Sequence, residues 1–260
     1  MHATMTRVLI VSLPAALLAG CSDEPTRQQG PTPTIVSASG DIAAKVDEFR
    51  QLLGDPNNGG TPGQQSAGRR EINWDAVPDE FAAPFDLPGD FFNAPVTPRA
   101  RGALLGTPGT AVQVSADADN PSGAAVRFGN INPRYVDDFR TFSPERLFSP
   151  IGSNIVDLTF RVAGTATPAV VRGFGAVYTG VDVATSSTFE YFDVTGRSLG
   201  RFGVPVSQDG LSFLGVAFPT PVVSRVRINY GNAALGPDNG ASADVAVMDD
   251  FIYGEPYAAP

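Results

Sequence analysis

From Ala111 to Tyr253 the sequence is written in short β-patterned runs, none longer than eleven residues, separated by turn-forming residues. The runs are Ala111–Ser115, Ala125–Asn130, Asn154–Val162, Ala169–Thr179, Thr188–Asp193, Ser198–Val204, Leu211–Phe218, Val222–Tyr230 and Asp244–Tyr253. Val194-Thr195-Gly196-Arg197 and Gln208-Asp209-Gly210 supply turn chemistry between consecutive runs. Within Val222–Ile228, the residues Val222, Ser224, Val226 and Ile228 alternate with Val223, Arg225 and Arg227, the period-two signature of a half-buried strand. Nine short strands with Gly-rich turns and no helix between them predict an all-β fold, a β-sandwich of the jelly-roll type. No internal repeat is visible. One domain over residues 71–257 is long enough to enclose a core, and Trp74–Gly109, dense in Pro, Phe and Asp, is expected to wrap across it in irregular structure.

The N-terminal part is organised differently. Val8–Gly20 is a run of 13 mostly apolar residues preceded by Arg7. At ~1.5 Å per residue it is too short for a ~30 Å hydrocarbon core, so it reads as the apolar region of a signal peptide occupying residues 1–20. Its end, Leu18-Ala19-Gly20-Cys21, resembles the bacterial lipobox. That resemblance implies acylation of the Cys21 thiol, cleavage before it and a lipid anchor, which is stable when two or more chains are attached. Ser22 in place of Asp points to the outer membrane in a cell that has one. Residues 21–40, with Pro25, Pro31 and Pro33, are expected to form a flexible tether. Asp41–Leu53 places Ile42, Val46, Phe49 and Leu53 at helical spacing before Gly54, predicting one amphipathic helix over residues 41–54. Residues 55–70 read as a second linker of turn formers.

Composition narrows the chemistry. His2 is the only histidine and Cys21 the only cysteine, so a chain cut before an acylated Cys21 has neither imidazole nor free thiol. Ser-His-Asp and Cys-His catalysis, histidine or thiolate zinc sites and disulfides are thereby excluded. Lys45 is the only lysine and lies outside the main domain, which removes a Ser-Lys dyad or Schiff base there. The formal net charge is −9, and −10 once Arg7 leaves with the leader. Such a balance argues against capture of nucleic acid, which needs basic residues to displace counterions. No phosphate-binding glycine loop joins a strand to a helix; Gly173-Phe174-Gly175 lies within a strand-like run.

Several stretches resemble a family of bacterial exported proteins with a jelly-roll domain. They are Gly68-Arg69-Arg70-Glu71-Ile72-Asn73-Trp74-Asp75, Arg172–Tyr178, Leu211–Val216, Arg225–Ile228 and the closing Val247–Pro256. The family brings no activity with it. The closing Asp-Asp-aromatic strand is also similar to that of galactose-binding-like jelly rolls and carbohydrate-binding modules, in which an acidic residue of the last strand often holds a structural calcium.

Asp249 and Asp250, on opposite faces of a regular strand, place one carboxylate toward the interior or a neighbouring loop. With Asp182, and with Asp79, Asp90 and Asn232 as further oxygen donors, they are candidate calcium ligands; the competing reading pairs them with arginines such as Arg172 or Arg225. Asp117-Ala118-Asp119-Asn120 lacks the remainder of a calcium loop and reads as a solvated turn. Trp74, Tyr135, Tyr178 and Tyr191, together with Asn130–Pro133, are candidate sugar-facing groups, against a competing role of the rings as core anchors. Were the chain an enzyme, Glu190, Asp193 and Glu145 are the carboxylates to consider for glycoside cleavage. The leading expectation is a noncatalytic, membrane-anchored lipoprotein that binds glycan or cell-envelope material, with no cofactor required. A carboxylate-run polysaccharide hydrolase or lyase and a structural or adhesive envelope protein are the alternatives.

Overall fold

The computed structural model describes residues 32–260. The leader, Cys21 and the first part of the expected tether lie outside these residues. The chain order is β1 (Thr34–Ser39), α1 (Ala43–Leu53), β2 (Arg69–Ile72), β3 (Ala103–Gly106), β4 (Ala111–Val114), α2 (Tyr135–Asp138), β5 (Phe148–Ile151) and β6 (Ile155–Phe160). It continues with β7 (Ala169–Val170), β8 (Gly173–Thr179), β9 (Thr188–Phe192), β10 (Ser198–Gly203), β11 (Leu211–Ala217), β12 (Arg225–Asn229), β13 (Val247–Gly254) and β14 (Tyr257–Ala258). One antiparallel sheet runs β1-β11-β8-β13-β5-β4, with β2 also on β13; a second runs β10-β9-β12-β6-β3, and β14 pairs with β7. The chain is therefore mostly β with antiparallel sheets, as a β-sandwich requires. Among the described residues no helix is long and apolar enough to cross a membrane.

Alternation builds the core. Phe174, Ala176 and Tyr178 of β8, Leu214 and Val216 of β11 and Phe251 and Tyr253 of β13 share one buried cluster with Val156, Leu158 and Phe160 of β6, Phe189 and Tyr191 of β9 and Val226 and Ile228 of β12. The intervening residues Val177, Phe213 and Ile252 form a second cluster with Val46, Phe49 and Leu53 of α1, so the helix covers the outer face of the larger sheet. The outer face of the smaller sheet carries Arg225, Arg227 and Asp157, which pair with one another.

Eight of the nine anticipated runs contain strands; the ninth run and three further features depart from the sequence reading. Ala125–Asn130 is not a strand. Arg127 and Phe128 have φ of 52° and 63°, and the turn they make drives Phe128 into a side cluster with Tyr135, Phe139, Leu147 and Val247. Thr34–Ser39, anticipated as tether, is an edge strand paired with β11 from Thr34↔Ala217 to Ser39↔Ser212, because its β-branched residues complete the sheet and bury Val36 under α1. Residues 55–70 are not a free linker: Asn57 bridges Arg69, and Arg70 is fully buried. The folded unit thus begins by Thr34. Finally, β13 is irregular where its two aspartates stand. Met248 opposes Tyr178 and Phe251 opposes Ala176, so three steps on β13 match two on β8, a β-bulge.

Candidate functional site: an acidic cleft at one end of the sandwich

Four connections meet at one end of the sandwich: residues 131–139 including α2, the turn after β8, the β10–β11 turn and the β12–β13 connection. Together they enclose a cleft of about 550 Å³. Its acidic residues are Asp138, Asp182, Asp209 and Asp238, with Asn132 and Asn239 beside them and Arg134 as the basic member.

The walls are held by local polar chemistry. Asp244, buried under the cleft, accepts a hydrogen bond from Asp182 N at 2.9 Å and also one from Ser186 Oγ. Its own N–H donates to Asn232 Oδ1 at 2.8 Å. Tyr135 pins the opposite wall: its hydroxyl contacts Gly236 O at 3.0 Å and Asn239 Oδ1, and accepts from Gly236 N at 3.1 Å. The Tyr135 ring stacks on Phe139 with centroids 4.9 Å apart. By contrast, the carboxylates of Asp138, Asp182 and Asp209 line the cleft as exposed groups and receive no hydrogen bond from the described residues. Burial raises the Asp182 carboxyl from its ordinary value, and the negative charges of Asp244, Asp209 and Asp138 push the same way. The cleft therefore offers several free acceptors in a negative field, suited to hydroxyl or ammonium donors and unfavourable to anions.

The residues singled out in the sequence are dispersed. Tyr135 and Asp182 line this cleft. Tyr135 is only 4% exposed, so it serves as a wall and not as an open stacking platform. Trp74 and Tyr178, the other expected sugar-facing rings, are core residues. Trp74 stacks on Phe148 at 4.3 Å and donates Nε1–H to Asp249 O at 2.7 Å. Tyr178 is fully buried and donates to Asn229 O at 3.1 Å, and Tyr191 donates to Phe174 O at 2.8 Å. In each case burial of a large ring outweighs any use at the surface.

The carboxylates considered for catalysis occupy three different settings. Glu190 lies on the smaller sheet opposite Arg227 and Arg201. Asp193 closes the β9–β10 turn, accepting from Thr195 N at 2.9 Å and Arg197 N at 3.1 Å. Glu145 accepts from Ala118 N at 3.0 Å beside Asp75 and Asp119.

Asp249 and Asp250 do not point to opposite faces. The bulge breaks the alternation and brings both carboxylates to one hydroxyl: Ser143 Oγ is 3.0 Å from Asp249 Oδ1 and 2.8 Å from Asp250 Oδ1. Asp249 also accepts from Phe142 N at 2.6 Å. The nearest cation is Arg50, 3.5 Å from Asp250, and not the anticipated Arg172 or Arg225. Arg172 instead donates to Phe218 O and Leu52 O, and Arg225 pairs with Asp157. Burial first, then the charge of Asp250, pushes Asp249 up to about 8. The pair thus carries a proton at neutral pH. Asp182 sits elsewhere, in the cleft; Asp79 pairs with Arg146, and Asn232 holds Asp244. Among the described residues no three His, Cys, Asp or Glu side chains converge on a metal position. In the expected solvated turn Ala118 and Asp119 are exposed turn residues, while Asp117 contacts the buried Arg146 and Asn120 is buried.

Comparison with family models, with curated proteins and with solved structures gave no match. The functional reading accordingly rests on the cleft itself. Asp138, Asp209, Asp238 and Asn239 were not singled out in the sequence; the only local signal was the density of acids and amides in three separate turn segments.

Proposed function

We propose that this chain is an exported lipoprotein, anchored through acylated Cys21, whose sandwich is a jelly roll that binds neutral or amino-substituted glycan or cell-envelope material without catalysis. The observation that carries the proposal is the open cleft of about 550 Å³ with three carboxylates unclaimed by protein donors. Sugar hydroxyls supply many donors in a small volume, and fixed acceptors on a rigid scaffold recognise them without ordering the site anew. The negative field favours a neutral or cationic saccharide over a uronate or phosphate.

The strand order supports the jelly-roll reading. In the core, β5-β13-β8-β11 faces β6-β12-β9-β10, so chain segments alternate between sheets except for the hairpin β9–β10, as in two interleaved Greek keys. That arrangement gathers the β8–β9, β10–β11 and β12–β13 connections, which carry Asp182, Asp209 and Asp238. A noncatalytic role is supported by the separate surroundings of Glu190, Asp193 and Glu145, none of which lines the cleft. The apolar leader and the lipobox-like end support the anchor, and Ser22 favours the outer membrane. From Cys21 to Thr34 the chain has 13 steps, a reach of at most ~45 Å when extended.

The test is a pull-down of the full chain on a polysaccharide panel, with reducing ends assayed in parallel. Enrichment on a neutral or amino-sugar polymer, lost in Asp209→Ala and unaccompanied by new reducing ends, is the expected result. Failure to bind every polymer, or release of new reducing ends, overturns the reading.

A further inference from the structure

A second pocket lies between the end of β2 and the irregular segment that crosses the sandwich edge, remote in sequence from the acidic cleft. It encloses about 240 Å³, and its walls include Val77, Phe81, Phe91 and Phe92 above the buried Trp74. Two arginines, Arg99 and Arg101, stand at its rim. We propose that this pocket is a binding site for a small monocarboxylate with an aromatic or aliphatic body, its carboxylate held by Arg99 and Arg101.

The arginines carry the argument. Among the described residues Arg50, Arg69, Arg70, Arg146, Arg197, Arg225 and Arg227 pair with a carboxylate, whereas the surface and loop arginines Arg127, Arg134, Arg140, Arg161, Arg172 and Arg201 do not. Arg99 and Arg101 meet no carboxylate among the described residues. They pack instead on the pocket's rings. Arg99 Cζ lies 3.9 Å from the Phe91 centroid and 5.9 Å from that of Phe81, while Arg101 Cζ lies 5.9 Å from that of Phe92. Arg99 uses only Nε, donating to Phe91 O at 3.0 Å. Arg101 uses Nε on Pro98 O at 3.2 Å and Nη1 on Glu71 O. Both terminal nitrogens of Arg99 and Nη2 of Arg101 therefore have donors to spare.

A guanidinium beside a ring whose terminal nitrogens are unused can offer them to a carboxylate in a bidentate fork. Burial lowers the pKa of Arg101 from its ordinary value and the nearby Arg70 adds to this, together outweighing the opposing influence of Tyr253 and Glu71. The volume suits a small ligand: at about 30 Å³ per water it corresponds to roughly eight waters, below the ~300 Å³ at which drug-sized sites begin. Glu80 on the same rim disfavours a second negative charge, which selects monocarboxylates over dianions.

The experiment titrates the full chain with benzoate and hexanoate, and with benzamide and hexanamide as neutral counterparts, by saturation-transfer NMR and calorimetry. At least one carboxylate is expected to bind, tenfold or more tightly than its amide. Arg99→Gln should weaken it tenfold or more, and Glu80→Gln should leave it unchanged or tighter. Ala76→Trp, placed on the pocket wall, should block binding while the melting temperature holds, which separates loss of the site from loss of the fold. Binding by neither carboxylate, equal binding of acid and amide, or full binding in folded Ala76→Trp overturns the proposal. A glycan bound in the acidic cleft leaves each of these outcomes unaffected.

Discussion

Phe49 of α1 lies against Gly215 of β11, and a Cβ placed on that glycine would stand 2.5 Å from the Phe49 ring. Gly175 is the register partner of Gly215 on β8, and a Cβ there would come within 2.7 Å of the same ring. Two adjacent strands thus leave a bare patch on the outer face of the sheet, and one aromatic ring fills it. That contact fixes where the amphipathic helix docks and so closes the second hydrophobic cluster.

Phe49→Ala should destabilise the fold by about 3–5 kcal/mol, the cost of removing a fully buried phenylalanine. Gly215→Ala should cost about 1–3 kcal/mol by overpacking the same contact. Chemical denaturation measures both. If Phe49→Ala relieves the crowding, Gly215→Ala will cost less in its presence, a coupling that a double-mutant cycle reads directly.

The Asp249–Asp250 pair makes stability depend on pH. Asp249 is raised from an ordinary 3.8 to about 8, so between about pH 4 and pH 8 the folded chain holds a proton that the unfolded chain has released. Its contribution to stability is accordingly present below about pH 4, falls through that window and is lost above about 8. Asp249→Asn keeps an acceptor for Phe142 N and offers an amide donor to Asp250, without the ionisation. Melting curves across the window should show the variant gaining on the parent chain as pH rises. Parallel curves would show that Asp249 does not titrate in this way.

Ion pairs of similar length should differ widely in worth. Arg70 donates to Glu255 at 2.7 and 2.8 Å with both side chains fully buried, and also to the carbonyls of Gly59, Thr61, Gly63 and Ala100. Glu255→Gln or Arg70→Met should cost about 3–5 kcal/mol, since a buried charge or its partners are left unmatched. Asp157 bonds Arg225 at 2.8 Å and Arg227 at 2.7 Å on the open face of the smaller sheet. Burial pushes its carboxyl up, but the hydrogen bonds from Arg227 and Arg225 outweigh that and hold it below the usual value. Asp157→Asn should cost less than about 1 kcal/mol, and denaturation midpoints of the variants compare the two directly.

Excess chelator should leave the melting temperature unchanged. Asp249 and Asp250 are engaged by Ser143, Phe142 N and Arg50, and Asp182 is not near enough to join them in one set. A drop of several degrees would restore calcium to the account.

The strands were legible because period-two alternation and turn residues are local signals, as in Val226 and Ile228 against Arg225 and Arg227. Thr34–Ser39 was not, since the partner that makes it a strand lies some 180 residues away, at Ala217 in the case of Thr34. Ala125–Asn130 reads as apolar because Phe128 is buried, yet its burial comes from a left-handed turn. The bulge at Asp249-Asp250 reverses the side-chain parity that a regular strand implies, and only the pairing with β8 reveals it. The cleft was the least legible feature, because Asp138, Asp182, Asp209 and Asp238 belong to four connections that come together through the sheet topology alone.

The account stands most directly on where a saccharide touches the chain. Backbone amide resonances recorded during titration with the polymer best retained in the pull-down should move at Asp138, Asp182, Asp209 and Asn239, and stay fixed along the strands. Shifts confined to the open face of the smaller sheet around Arg225 and Arg227, with the cleft silent, would contradict it.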